Sequence, residues 1–112
     1  MRSDRDRLLD IAEEIEAIER YAERGKEAYD ADELIRAWML QRIQVIGEAV
    51  ARLSTDMKDR HPEVPWRRIA DMRNLLVHSY FRVDPEVVWA VVADEVPVLK
   101  EQIQNLLGKV DG

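Results

Sequence analysis

Apolar residues recur at alternating spacings of three and four through almost all of this 112-residue chain, and that rhythm leaves room for little besides helices. Leu8, Ile11, Ile15, Ile18 and Ala22 make a first stripe, with Ser3 or Asp4 placed to cap it and Gly25 placed to end it in a left-handed residue. Glu13, Glu14, Glu16, Glu19 and Glu23 fall mostly off that stripe, as a solvated face or a docking face for a basic partner. After a short connection over Lys26 to Asp30, Asp30 or Asp32 opens a second helix carrying Leu34, Ile35, Trp38, Met39, Ile43, Ile46, Ala49, Val50 and Leu53. Its stripe is wider, as for a helix between two neighbours. Gly47 inside it costs about 1 kcal/mol relative to alanine, which points to close approach of another helix at Gly47-Glu48-Ala49. Glu48 would then face the neighbour; buried, it needs a partner such as an arginine, and exposed, it needs none.

Ser54 to Val64 mixes Ser, Thr, Asp, charges and a His-Pro step, reading as a loop with one helical turn at Asp56 to Arg60. His61, before Pro62, reads as a surface loop histidine with no local partner. Pro65 suits the first position of a third helix bearing Trp66, Ile69, Ala70, Met72, Leu75, Leu76 and Val77. Asp84-Pro85 starts a fourth, whose stripe of Val87, Val88, Val91, Val92, Val96, Leu99, Ile103, Leu106 and Leu107 runs to Gly108. Pro97 removes the bond to Ala93 and should kink or split that helix. Trp38, Trp66 and Trp89 fall among apolar positions and read as core. Alternation at period two never persists, so no strand is expected. The fold class is all-α: one domain over residues 1–112, an antiparallel four-helix bundle with its last helix kinked or split at the proline.

Composition narrows the chemistry. The chain has no cysteine, which excludes disulfides and thiolate chemistry, and no run of about 18 apolar residues that would span a membrane. Its start, Met1-Arg2-Ser3-Asp4-Arg5-Asp6-Arg7, is charged rather than signal-like, so a cytoplasmic protein is expected. A net charge of −6 argues against a general nucleic-acid coat. The charge is unevenly spread: between Arg60 and Arg82 five arginines face only Glu63 and Asp71, a local +3 on a body of −9. Such a chain grips one piece of nucleic acid, or one acidic partner, at one place.

The stretch Met72 to Phe81 lies within that window and holds a permanent cation at Arg73, an imidazole at His78 and a phenol at Tyr80. Asn74 and His78, four apart, share a helix face, so the Asn74 amide could hold one tautomer of the ring. Arg73 and His78 are five apart, about 140° around a helix, and do not sit side by side on one copy. They cooperate if the helix end unwinds near Ser79, or if two copies meet across a dimer axis. On spacing alone, all three side chains could equally cap carbonyls and cover neighbouring apolar surface.

At these residues the sequence resembles the HEPN superfamily, and specifically the HepT-like toxins encoded beside an MntA-type minimal nucleotidyltransferase antitoxin. The family pattern of Arg, four residues, His, one residue, Tyr reads here as Arg73-Asn74-Leu75-Leu76-Val77-His78-Ser79-Tyr80. Ile46-Gly47-Glu48-Ala49, Pro65 to Ala70, and Phe81 to Asp84 leading to Val88-Trp89 look like the same family in the same order, so the likeness covers about Leu34 to Leu107. It implies a metal-independent ribonuclease, without cofactor, working as a homodimer whose motif helices face each other. His78 would be general base or acid, Arg73 would stabilise the phosphorane, Asn74 would orient His78, and Tyr80 would accept AMP from the antitoxin. RNA and the nucleotidyltransferase would be its partners, with room for larger hetero-oligomers. Two other readings remain open at this point: a catalytically silent dimerisation or binding module for the nucleotidyltransferase, and a nucleotide-binding sensor.

Overall fold

The computed structural model describes residues 2–74 and 84–110, and among them every regular element is helical. Helix α1 (Asp4–Ala22) starts on a capping box: the Asp6 N–H donates to the Ser3 hydroxyl at 3.0 Å while the Ser3 N–H donates to the Asp6 carboxylate at 3.2 Å. That backbone donor holds the Asp6 carboxyl below the usual carboxylate range. Gly25 is left-handed, with φ 87°, but the segment after it is more than the bare connection expected. Lys26–Ala31 forms a short helix, α2, whose Tyr29 is buried and donates its hydroxyl to the Pro85 carbonyl at 2.9 Å. A single buried aromatic anchors this helix, so no apolar period announces it.

Of the two candidate caps for the next helix, Asp32 serves: its carboxylate accepts from the Leu34 N–H at 2.9 Å and opens α3 (Glu33–Ala51). The turn anticipated after it is α4 (Thr55–Arg60), capped by Ser54. Pro65 stands one position earlier than expected, just before α5 (Trp66–Ala70), and the chain then tightens into a 3-10 turn over Asp71–Asn74. The rest of the expected third helix lies outside the described residues. Asp84 caps α6 (Pro85–Ala90) with Pro85 as first residue, as the sequence indicates. Pro97 splits the last helix: one wide π turn, Val91–Glu95, separates α6 from α7 (Val96–Leu107), which accommodates the missing N–H and the ring beneath it.

Contacts between residues far apart in sequence fix the directions. Ser54 donates through its N–H and hydroxyl to Asp4 at 2.9 and 2.6 Å, Arg42 pairs with Glu14 at 3.2 Å, and Trp38 packs on Tyr21 with centroids 4.8 Å apart. As α1 advances its α3 partner retreats, so the two are antiparallel. Arg5 reaching the Leu107 carbonyl at 2.9 Å and Glu19 reaching Lys100 at 3.0 Å give the same answer for α1 and α7. The core is the first stripe (Leu8, Ile11, Ile15, Ile18) closed by Met39, Ile43, Ile46 and Val50 from α3 and by Val92, Val96, Leu99 and Ile103 from the split helix. Trp66 is buried, and Trp38 and Trp89 pack partly buried against that core. Two expected core residues are not in it: Leu34 is 79% and Val87 48% exposed. Both lie one residue before a core residue of the same turn, Ile35 and Val88, and it is those that face inward.

Candidate functional site

Arg73 stands on the 3-10 turn, and the α3 backbone beneath it explains why. A Cβ built on Gly47 would lie 2.7 Å from the Arg73 nitrogen, 3.0 Å from the Ile69 carbonyl oxygen and 3.1 Å from that of Ala70. The close approach inferred from a glycine inside a helix is therefore real, and it seats the turn directly on α3. The next residue, Glu48, is both exposed and paired with arginine, combining the two alternatives left open for it. Its Oε2 lies 3.8 Å from Arg73 Nη1, and its Oε1 accepts a 3.0 Å hydrogen bond from Arg52 Nε. Arg52 was not among the sequence candidates, although its place four residues after Glu48 on one helix was the signal for it.

The Arg73 side chain is 43% exposed and touches Glu48 at ion-pair range rather than hydrogen-bond range, so this contact leaves its N–H donors available to an anion. Asn74 follows at the end of the turn, half-buried. His78 and Tyr80 lie outside the described residues, as does Arg82. Beneath the turn, Ile43, Ile46, Ile69, Met72, Val96 and Leu99 wall a cavity of about 260 Å³, with Arg68 and Glu95 paired at its rim. Asp94 and Gln102 also line it, and the rest of its wall is mostly apolar.

The basic window looks different once folded. Arg60 pairs with Asp56, Arg68 with Glu95 and Arg73 with Glu48, each a carboxylate from outside the window. Among the described residues Arg67 alone of the window's arginines has no ion pair, and it is exposed. His61 is half-buried rather than free, with Nδ1 3.6 Å from Glu63 Oε2 and its carbonyl accepting the Trp66 indole N–H at 2.9 Å. A local partner thus exists where none was expected, and the residue braces the loop before α5.

The chain matches the family described as Ribonuclease HepT-like over residues 11–106. It belongs to that family. Among HepT-like relatives, a Thermococcus cleftensis protein named a probable ribonuclease HepT is 41% identical over 106 residues, covering 94% of this chain and 96% of its own length. A protein of Caldanaerobacter subterraneus subsp. tengcongensis, named as a candidate RNase, is 34% identical over 110 residues, 97% of this chain and 98% of its own. No solved structure matches the chain. The HepT-like match runs from within α1 into α7 and includes Gly47, Glu48 and Arg73. No helix among the described residues is long and apolar enough to cross a membrane.

Proposed function

We propose that this chain is the toxin of a toxin–antitoxin pair, a metal-independent endoribonuclease whose active centre is the Arg73-x4-His78-x-Tyr80 motif shared between two copies. The HepT-like match across residues 11–106, which contains the whole motif, carries the reading. His78 takes the proton of an RNA 2′-hydroxyl as that oxygen attacks the adjacent phosphorus. Arg73 stabilises the charge that gathers on the phosphorane oxygens. The 5′-oxygen then leaves with a proton from solvent, giving a 2′,3′-cyclic phosphate and a 5′-hydroxyl end, and His78 returns its proton to water. Asn74 keeps His78 in the tautomer that the first step needs.

With its side chain nearly half-exposed and its guanidinium held by Glu48 only at ion-pair range, Arg73 is suited to such a role, since a donor already spent on a neighbour has less to offer a phosphate. Silencing follows from AMP transfer to Tyr80 by an MntA-type nucleotidyltransferase antitoxin. The added phosphate sets negative charge and bulk beside Arg73 and His78, where RNA phosphate would otherwise sit. RNA and the antitoxin are the partners, and the cytoplasm is the place of action.

The test is cleavage of RNA by the purified protein in excess chelator. The parent should cut, and Arg73→Ala and His78→Ala should each lose about 10²-fold or more in rate. Variants as active as the parent would sink the assignment. An inactive parent that still forms a stable complex with the nucleotidyltransferase would leave the silent binding module in its place. Co-expression with the antitoxin should add AMP mass to the parent and none to Tyr80→Phe.

A further inference from the structure

Two independent observations meet at Glu48. The first concerns backbone: Gly47 lets the 3-10 turn press onto α3 so closely that an added Cβ would sit 2.7 Å from the Arg73 nitrogen. The register between Arg73 and the residue after Gly47 is thereby fixed by packing, with no side chain needed to set it. The second concerns charge. The carboxylate at that next position divides its oxygens, one held by Arg52 at 3.0 Å and the other 3.8 Å from Arg73.

From these we infer that Glu48 is the positioning residue for Arg73, a carboxylate that aims the guanidinium without consuming its donors. The inference rests on the ribonuclease reading above. At 3.8 Å the attraction orients the guanidinium while forming no hydrogen bond with it, so Glu48 leaves the fork of N–H groups to phosphate oxygens. Arg52 has a part in this balance. By taking the short hydrogen bond it draws off part of the carboxylate charge, and Glu48 cannot lock Arg73 into a closed pair. A full bidentate pair would hold the cation more firmly and leave it less to give to a transition state. Glu48 itself touches no reacting atom in this scheme. Its effect passes through Arg73 alone.

Because all three side chains are about half exposed or more, the cluster contributes little to folding, and substitution at Glu48 should leave the melting temperature nearly unchanged. Activity should respond instead. Glu48→Ala and Glu48→Gln are expected to lower kcat about tenfold with KM little altered, and Glu48→Asp, which keeps the charge on a shorter arm, to recover part of the loss. In an Arg73→Ala background, measured under single-turnover conditions, Glu48→Ala should cost nothing further. An undiminished cost there would overturn the inference, because Glu48 would then act on RNA directly or through the fold.

A second arm is independent of catalysis. In 15N-arginine spectra the Nε–H cross-peak of Arg73, identified by its loss in Arg73→Lys, should shift on Glu48→Gln; a peak that stays in place overturns the inference even if the parent cuts RNA. Should the parent fail to cut RNA while the peak shifts, the ribonuclease reading falls and the Glu48–Arg73 coupling stands.

Discussion

Glycine appears at two decisive residues for opposite reasons, and substitution separates them. Gly47 is helical and hemmed in by the Arg73 nitrogen and two carbonyl oxygens, none of which can move aside like a flexible side chain. Gly47→Ala should therefore cost about 1–3 kcal/mol in chemical denaturation, and by lifting the 3-10 turn it should depress RNA cleavage more than it depresses folding. Gly25 has open space around it but a φ of 87°. Alanine there should cost about 1–2 kcal/mol through backbone strain alone and leave cleavage per folded molecule unchanged. Equal effects of the two substitutions on cleavage would mean that the seat of Arg73 on α3 has no functional consequence. Both were legible beforehand: a glycine inside an apolar helical stripe asks for a neighbour, and one just past a stripe's end suits a positive φ. The Arg52–Glu48–Arg73 cluster was half legible: an arginine partner was expected for Glu48 only if buried, and the Arg73 contact depended on a turn whose 3-10 geometry no periodicity encodes.

At the scale of elements, caps carried the information. Ser3, Asp32 and Asp84 stand where side chains receive helix N–H groups, and each was among the caps read from the sequence because capping chemistry is local; Ser54, which caps α4, was not. Helix α2 was missed because six residues with one buried aromatic give no period. Leu34 and Val87 were misplaced because two adjacent apolar residues do not say which of them faces inward, and here Ile35 and Val88 do. The element α2 also supplies a pH-dependent term. Burial pushes the Tyr29 phenol above its ordinary value of 10.0, and its hydroxyl joins α2 to the start of α6. A raised value means that stability is fully present below the ordinary tyrosine range and is lost as pH rises through the raised one. Thermal unfolding followed by circular dichroism should therefore show a fall above about pH 10 that is weaker in Tyr29→Phe. At neutral pH that variant should lose about 1 kcal/mol with the hydrogen bond to Pro85.

On the scale of the molecule, an acidic body presents its cations in a partly neutralised state. Asp56, Glu48 and Glu95 each meet an arginine of the window, so the local excess of positive charge counted along the chain is smaller in space. A single copy therefore makes a weak trap for RNA, since affinity comes from phosphates neutralised. Two copies facing each other would double the cations at one place and would let one copy's Arg73 work with the other's His78 without the two being neighbours on one chain. The proposed functional unit is thus a pair of motifs, with each copy supplying half a site. Mixing the two inactive variants tests this most directly. Differently tagged Arg73→Ala and His78→Ala chains are co-expressed, the mixed dimer is purified through both tags, and its RNA cleavage rate is compared with either variant alone. Pooled motifs predict recovery of up to about half the parent rate, because the mixed cleft holds one intact Arg73 and one intact His78. A mixed dimer that forms but remains as inactive as its components would contradict a shared site.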